Sequence, residues 1–352
     1  MVIAPSRSEK HWFHDRDVKA KERAKALESL AAVEPVTKDG VRISIYANLE
    51  LPSDAEAAAA VNADGVGLFR TEFLVVGKTS VPEEEEQYEA FRDVIETLAP
   101  RPVTIRTFDL GGDKFPMFLP PIAEENPFLG WRGLRIYEMM PELFHNQVRA
   151  ILRAAAHGPV RLLVPMVNTV EEITGLRQVV EEARAELQAE GVEQGDVMVG
   201  AMLETPAAIT ITEMLARHVD FFSLGTNDLI QYMLAVDRGN AQLARFFDLY
   251  HPALLRYIGD AVKAAGRAGR PICVCGEAAS DPLGALLLIG LGIRSLSCAP
   301  AGVLAQKQLI RSIDLGRLER LMAELLTVET GQEIRSRMLA ALRDTVDLSG
   351  VE

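Results

Sequence analysis

The sequence predicts an α/β protein, a closed (β/α)8 barrel with an N-terminal linker helix. From Val41 onward, eight short runs rich in β-branched residues alternate with longer amphipathic segments. Most of the runs are apolar throughout, as parallel strands buried on both faces must be. The length, 352 residues, is ordinary for such a barrel with insertions. An open, doubly wound sheet is the competing fold. No dinucleotide-type glycine fingerprint follows the first run, which counts against it.

The expected strands span residues 43–49, 65–71, 103–108, 161–166, 197–203, 220–225, 271–276 and 295–299. Helices are expected at 53–62, 170–190, 206–217, 251–268 and 282–289, several opening on Ser, Asp or Pro. Residues 1–4 read as the tail of a strand. Residues 8–30, dominated by Ala, Lys, Glu and Arg, read as a polar helix that Pro35 stops. That helix is either a connector between domains or a cap on the barrel. The run Glu83 to Glu86 reads as the acidic first turn of a helix, favourable to its dipole. The connection 109–141 is too long for an ordinary loop and predicts an ordered insertion over the active face. Beyond Ser312 the chain is helical and charged, and is expected on the outside of the barrel.

Composition narrows the function classes. Acidic residues outnumber basic ones, 50 to 37, for a formal charge of −13, which disfavours nucleic acid as a partner. The three cysteines make no disulfide framework, so a reducing, cytoplasmic setting is expected. The most apolar run, 285–291, is far too short for a membrane span.

In a barrel of this kind the active site lies at the C-terminal ends of the strands. Polar residues collect there: Arg70, Thr71 and Glu72 after the second strand, Arg106 and Asp109 at the third, Glu204 at the fifth, Asn227 and Asp228 at the sixth, Cys275 and Glu277 at the seventh. Glu204 and Asp228 end consecutive strands, and two carboxylates so close favour a shared cation such as Mg²⁺. Capping and a structural salt bridge are the bland alternatives for them. Arg70, Arg106 and Arg238 call for anionic partners, since a buried guanidinium needs one. Cys273 and Cys298 read as core filler. Cys275 stands on the rim, where a thiol suits a general acid. No zinc-type spacing is present, and the six histidines form no constellation.

Longer motifs carry a resemblance. Gly-Leu-Phe-Arg-Thr-Glu-Phe (67–73), Arg-Thr-Phe-Asp-Leu-Gly-Gly-Asp-Lys (106–114), Glu-Asn-Pro-Phe-Leu-Gly-Trp-Arg-Gly-Leu-Arg (125–135), Glu-Thr-Pro-Ala-Ala (204–208), Gly-Thr-Asn-Asp-Leu (225–229), Val-Asp-Arg-Gly-Asn (236–240) and Cys-Gly-Glu (275–277) resemble the phosphoenolpyruvate (PEP)-utilising enzyme family. Within it they look like the C-terminal domain of the Enzyme I type of the sugar phosphotransferase system. The resemblance implies that Arg70, Arg106, Asn227, Asp228 and Arg238 bind PEP, that Glu204 and Asp228 hold Mg²⁺, and that Cys275 exchanges a proton with the methylene carbon. It also implies a homodimer, pyruvate as product, and phosphoryl transfer to a histidine on a swivelling domain and on to an HPr-type carrier. Residues 1–35 would be the end of that domain and its linker, and 36–352 the PEP-binding and dimerisation barrel. No Gly-Gly…Ser-His segment is present, so a chain lacking its histidine domain is expected. The resemblance assigns no role to Lys114, Arg132 or Arg135. The barrel of a pyruvate phosphate dikinase or PEP synthase, and a non-catalytic PEP-sensing module, are the alternatives.

Overall fold

The computed structural model describes residues 27–111, 117, 118, 124–343 and 346, and positions 6, 7, 10–14, 18 and 25. Eight parallel strands close in chain order: β1 (Ser44–Leu49), β2 (Val66–Phe69), β3 (Val103–Arg106), β4 (Val160–Val164), β5 (Val197–Leu203), β6 (Phe221–Leu224), β7 (Ile272–Val274) and β8 (Ser295–Cys298). β8 returns to β1 with Ser44 opposite Ser295 and Ala47 opposite Cys298. The protein is a (β/α)8 barrel, as the alternation of runs predicts.

Side-chain alternation divides the interior in two. Ile45, Ala47 and Leu49 of β1 are fully buried in the large cluster shared with the helices. A small separate cluster of Leu68, Leu163, Met202, Phe221 and Cys275 draws on five different strands or their ends. Side chains from five strands meet only inside the ring, so this cluster fills the barrel. It needs missing side chains elsewhere. A Cβ on Gly200 would lie 2.3 Å from the Phe221 ring.

Several ladders end earlier than the apolar runs do. β2 stops at Phe69 and β7 at Val274, leaving Arg70 and Cys275 just past the strand ends. The backbone still spans the ring there: the Arg70 N–H donates to the Leu49 carbonyl at 3.0 Å, and the Cys275 N–H to that of Leu224 at 3.2 Å. The helix expected over 206–217 is two short ones, Pro206–Thr210 and Thr212–Leu215. Thr212 Oγ1 donates back to the carbonyls of Ala208 and Ile209, at 3.1 and 2.8 Å. Such back-bonding bends helices. Cys273 is only partly buried, a correction to its reading as core filler; as a neighbour of Cys275 two residues away, it shares the inner face of β7.

Helix Glu84–Leu98 opens on the acidic run, as expected. Tertiary contacts give that run a further role. Glu84 pairs with Arg149 and Arg153 at 2.7 and 2.6 Å, and Glu85 with Arg153 at 2.6 Å. After Ser312, helix Leu315–Leu325 covers helix Pro282–Gly290, and a Cβ on Gly290 would lie 2.2 Å from Met322. Leu283 through Gly290 are consequently buried on every side. The expected polar helix falls largely outside the described residues; positions 7, 10–14, 18, 25 and 27 are helical. Lys307, which nothing in the sequence distinguished, is buried beneath the segment that follows. Its Nζ donates to the carbonyls of Ala31, Val61 and Asn62 at 2.6, 3.3 and 3.1 Å, which ties residues near 31 to the barrel.

Candidate active site on the C-terminal rim

A cavity of about 240 Å³ opens among the strand ends. It is lined by Arg70, Arg106, Asp109, Glu204, Asn227, Asp228, Arg238, Cys275 and Glu277, with Leu68 and Met202 from the barrel filling. Every residue expected to form the site thus faces one cavity. None of the six histidines lines it.

The charges are organised as an alternating chain. Arg106, at the end of β3, is nearly fully buried; its Nη2 donates to Glu72 Oε1 at 2.9 Å, and its Nη1 lies 3.2 Å from Asp109 Oδ2. Glu72 Oε1 also accepts the Asp109 N–H at 3.0 Å. Asp109 in turn takes two bonds from Arg132, Nε to Oδ1 at 3.0 Å and Nη2 to Oδ2 at 2.9 Å. The same guanidinium grips Asp228, Nη1 to Oδ1 at 2.6 Å and Nη2 to Oδ2 at 3.0 Å. Arg238 adds a contact to Asp228 Oδ2 at 3.3 Å. Paired, bidentate and hydrogen-bonded, these charges meet the condition under which burial is tolerable.

Glu204 is the exception. It is 1 % exposed. Among the described residues no arginine bonds to it, and its Oε1 accepts the Met166 N–H at 2.6 Å. Met166 adopts a left-handed backbone, φ 57°, to aim that N–H. The strain is of order 1–2 kcal/mol for a non-glycine residue. Burial, then the charges of Asp228 and Asp109, push the Glu204 carboxyl up to about 8. The site is short of positive charge at this point.

Arg70 pairs with Glu50, whose side chain is 62 % exposed, so the guanidinium can exchange that partner for another anion. Asn227 Oδ1 accepts the Glu277 N–H at 3.2 Å. Cys275 is 3 % exposed. Burial pushes its thiol up, against the hydrogen bond from Ser223 and the nearby charge of Arg106. Asn48 Nδ2 holds the Cys275 carbonyl at 3.1 Å and that of Ser297 at 3.2 Å. Gly276 is obligatory beside it, since a Cβ there would lie 1.9 Å from Thr226 Oγ1. Two buried polar atoms lack partners here, Arg106 Nε and Thr226 Oγ1. Such orphans cost stability unless a ligand meets them.

A family model for the PEP-binding domain of PEP-utilising enzymes matches residues 24–315. The chain belongs to the PEP-utilising enzyme family. The phosphoenolpyruvate-protein phosphotransferase of Borreliella burgdorferi is 41% identical over 338 residues, which are 96% of this chain and 59% of that protein. The protein of the same name from Staphylococcus carnosus is 38% identical over 309 residues, 88% of this chain and 54% of its own. The chain spans a little more than half the length of these curated relatives.

Two features of this PEP-utilising barrel are not legible in the sequence. Arg132, to which the resemblance assigns no role, joins Asp109 to Asp228. Glu72, placed on the rim with no assigned partner, anchors Arg106. The signals for Arg132 are its place in the 125–135 motif and in an overlong loop rich in aromatics. The described part of that loop is held by hydrogen bonds. Tyr232 Oη accepts from Arg132 at 3.0 Å and donates to the Phe128 carbonyl at 2.6 Å. Arg135 donates to the carbonyls of Leu129 and Gly130, both at 2.7 Å. Lys114 lies outside the described residues.

Proposed function

We propose that this chain is the PEP-binding and dimerisation part of a phosphoenolpyruvate-protein phosphotransferase of the Enzyme I type, a cytoplasmic homodimer with the boundary between linker and barrel near residue 35. The observation that carries this reading is the cavity itself. It combines three arginines, one with a buried unpartnered Nε, with an ion-poor carboxylate and a thiol, in a volume suited to a small phospho-carboxylate. Arg70, Arg106, Asn227 and Arg238 bind PEP. Guanidinium groups suit both of its anionic ends.

Glu204 and Asp228 would hold Mg²⁺. Among the described residues no group of three or more metal-binding side chains gathers. A two-carboxylate donor set nonetheless fits Mg²⁺, which usually takes one or two carboxylates and fills its remaining positions with substrate oxygens and water. The raised Glu204 carboxyl fits as well, since a cation would offset the burial, and then the carboxylate repulsion, that raise it. Bound there, the ion would supply positive charge against the phosphoryl and enolate oxygens. The protein's own groups do the rest. The arginines fix the phosphate and carboxylate, burial excludes water, and Cys275 delivers a proton to the methylene carbon as the enolate becomes pyruvate. The phosphoryl group would go to a histidine outside the cavity, and then to an HPr-type carrier.

The names of the relatives favour this over the barrel of a dikinase or PEP synthase. Calorimetry with PEP tests it. Binding should require Mg²⁺, vanish with EDTA, and be lost in Glu204→Ala and Asp228→Ala variants that keep their circular dichroism. Adding the histidine-bearing half of a related phosphotransferase should produce phosphohistidine on that partner. PEP affinity indifferent to EDTA and to both substitutions would refute the assignment.

A further inference from the structure

Ser223 lies in the middle of β6, between Met202 of β5 and Cys273 of β7 in register, and is 1 % exposed. Its Oγ donates to Cys275 Sγ at 3.2 Å. The sulfur has one further polar contact, to the Leu224 carbonyl at 3.6 Å, which only a thiol proton can supply. On the barrel side the sulfur packs with the apolar side chains of Leu68, Leu163, Met202 and Phe221, and on the other it borders the charged cavity. A buried serine whose hydroxyl faces a sulfur in such a cluster is a poor use of core space, where alanine would leave no polar group to satisfy.

We propose that Ser223 is a positioning residue for proton transfer by Cys275, stabilising the thiolate that remains after the proton has left. This rests on the reading of Cys275 given above. In the forward step the S–H bond breaks and a C–H bond forms at the methylene carbon. The enolate oxygen's electron pair closes the carbonyl, and the S–H pair stays on sulfur. A sulfur anion in an apolar cluster needs a donor, and the Leu224 carbonyl cannot be one. The Ser223 hydroxyl already points at it. The thiolate takes its next proton from water. The charged groups that act on this thiol are Arg106 and Arg70, which favour the anion, and Glu204, which opposes it. Ser223 is the uncharged donor in direct contact.

The reverse step gives an assay that needs no phosphoryl acceptor. The chain, incubated with pyruvate and Mg²⁺ in D₂O, should exchange the methyl hydrogens of pyruvate, followed by proton NMR. The exchange rate should rise with pH through the thiol's ionisation. Ser223→Ala should slow exchange by roughly tenfold to a hundredfold, the range a hydrogen bond to a charged group is worth. It should move the pH midpoint up by about one to two units. PEP affinity should stay within about twofold, since Ser223 does not line the cavity. Ser223→Thr and Ser223→Val share one shape and differ in the hydroxyl, so only Thr should retain the wild-type midpoint. An unchanged midpoint in Ser223→Ala, or equal behaviour of Thr and Val, overturns the proposal while leaving Cys275 in place. If Cys275→Ala exchanges as fast as wild type, the reading of Cys275 fails and Ser223's role fails with it.

Discussion

Arg132→Ala removes a guanidinium that four hydrogen bonds of 2.6–3.0 Å tie to Asp109 and Asp228. All three side chains are nearly fully buried. Removing one partner of a buried ion pair typically costs about 3–5 kcal/mol, because the other charge is left uncompensated. Here two carboxylates are left. Each keeps one arginine, Asp109 keeping Arg106 at 3.2 Å and Asp228 keeping Arg238 at 3.3 Å. Those residual contacts argue against a larger loss, so about 3–5 kcal/mol is the expected range. Urea unfolding of wild type, Arg132→Ala, Asp109→Asn and the double variant, followed by circular dichroism, measures it. The double variant should be less damaged than the sum of the singles, by about 0.5–3 kcal/mol, as contacting charges are. Mg²⁺ should stabilise Arg132→Ala more than wild type, since Asp228 then lacks the guanidinium that occupies both of its oxygens. A loss below about 1 kcal/mol, the value of an exposed pair, would refute the claim that Arg132 is the internal counter-charge of this rim.

Glu204 makes the metal-free protein sensitive to pH. Its carboxyl is raised from 4.5 to about 8, so its contribution favours the fold fully below the lower value and is lost as pH rises through the higher one. With EDTA present, stability should therefore fall across that window. Glu204→Gln should flatten the slope, and a slope identical to wild type would show that the carboxyl is not raised. For assembly, light scattering at micromolar concentration should return twice the 38.6 kDa chain mass, and a mass equal to one chain would remove the homodimer.

Much of the fold is legible because its signals are local. The run at 197–203 is apolar along its whole length, and β5 occupies those residues. The helix at 170–190 is announced by Thr169, whose side chain caps it in a capping box with Glu172. Where the reading failed, a local preference lost to a side chain's own hydrogen bond. Ala207, Ala208 and residues 213–217 suit one helix, but Ile209 to Thr212 between them are all β-branched, and Thr212 bends the chain there.

The sequence alone determined the class of fold and which strand-end residues reach the rim. Strand period and strand order settle both, because a parallel barrel puts the end of every strand on one face. Only the tertiary structure decided how the rim charges are shared. Arg132 meets Asp109 across 23 residues and Asp228 across 96, and no periodicity spans such a gap. Glu204 is left without an arginine for the same reason. Electrostatic energy depends on distance and burial in the folded chain, and both come into being only when the barrel closes.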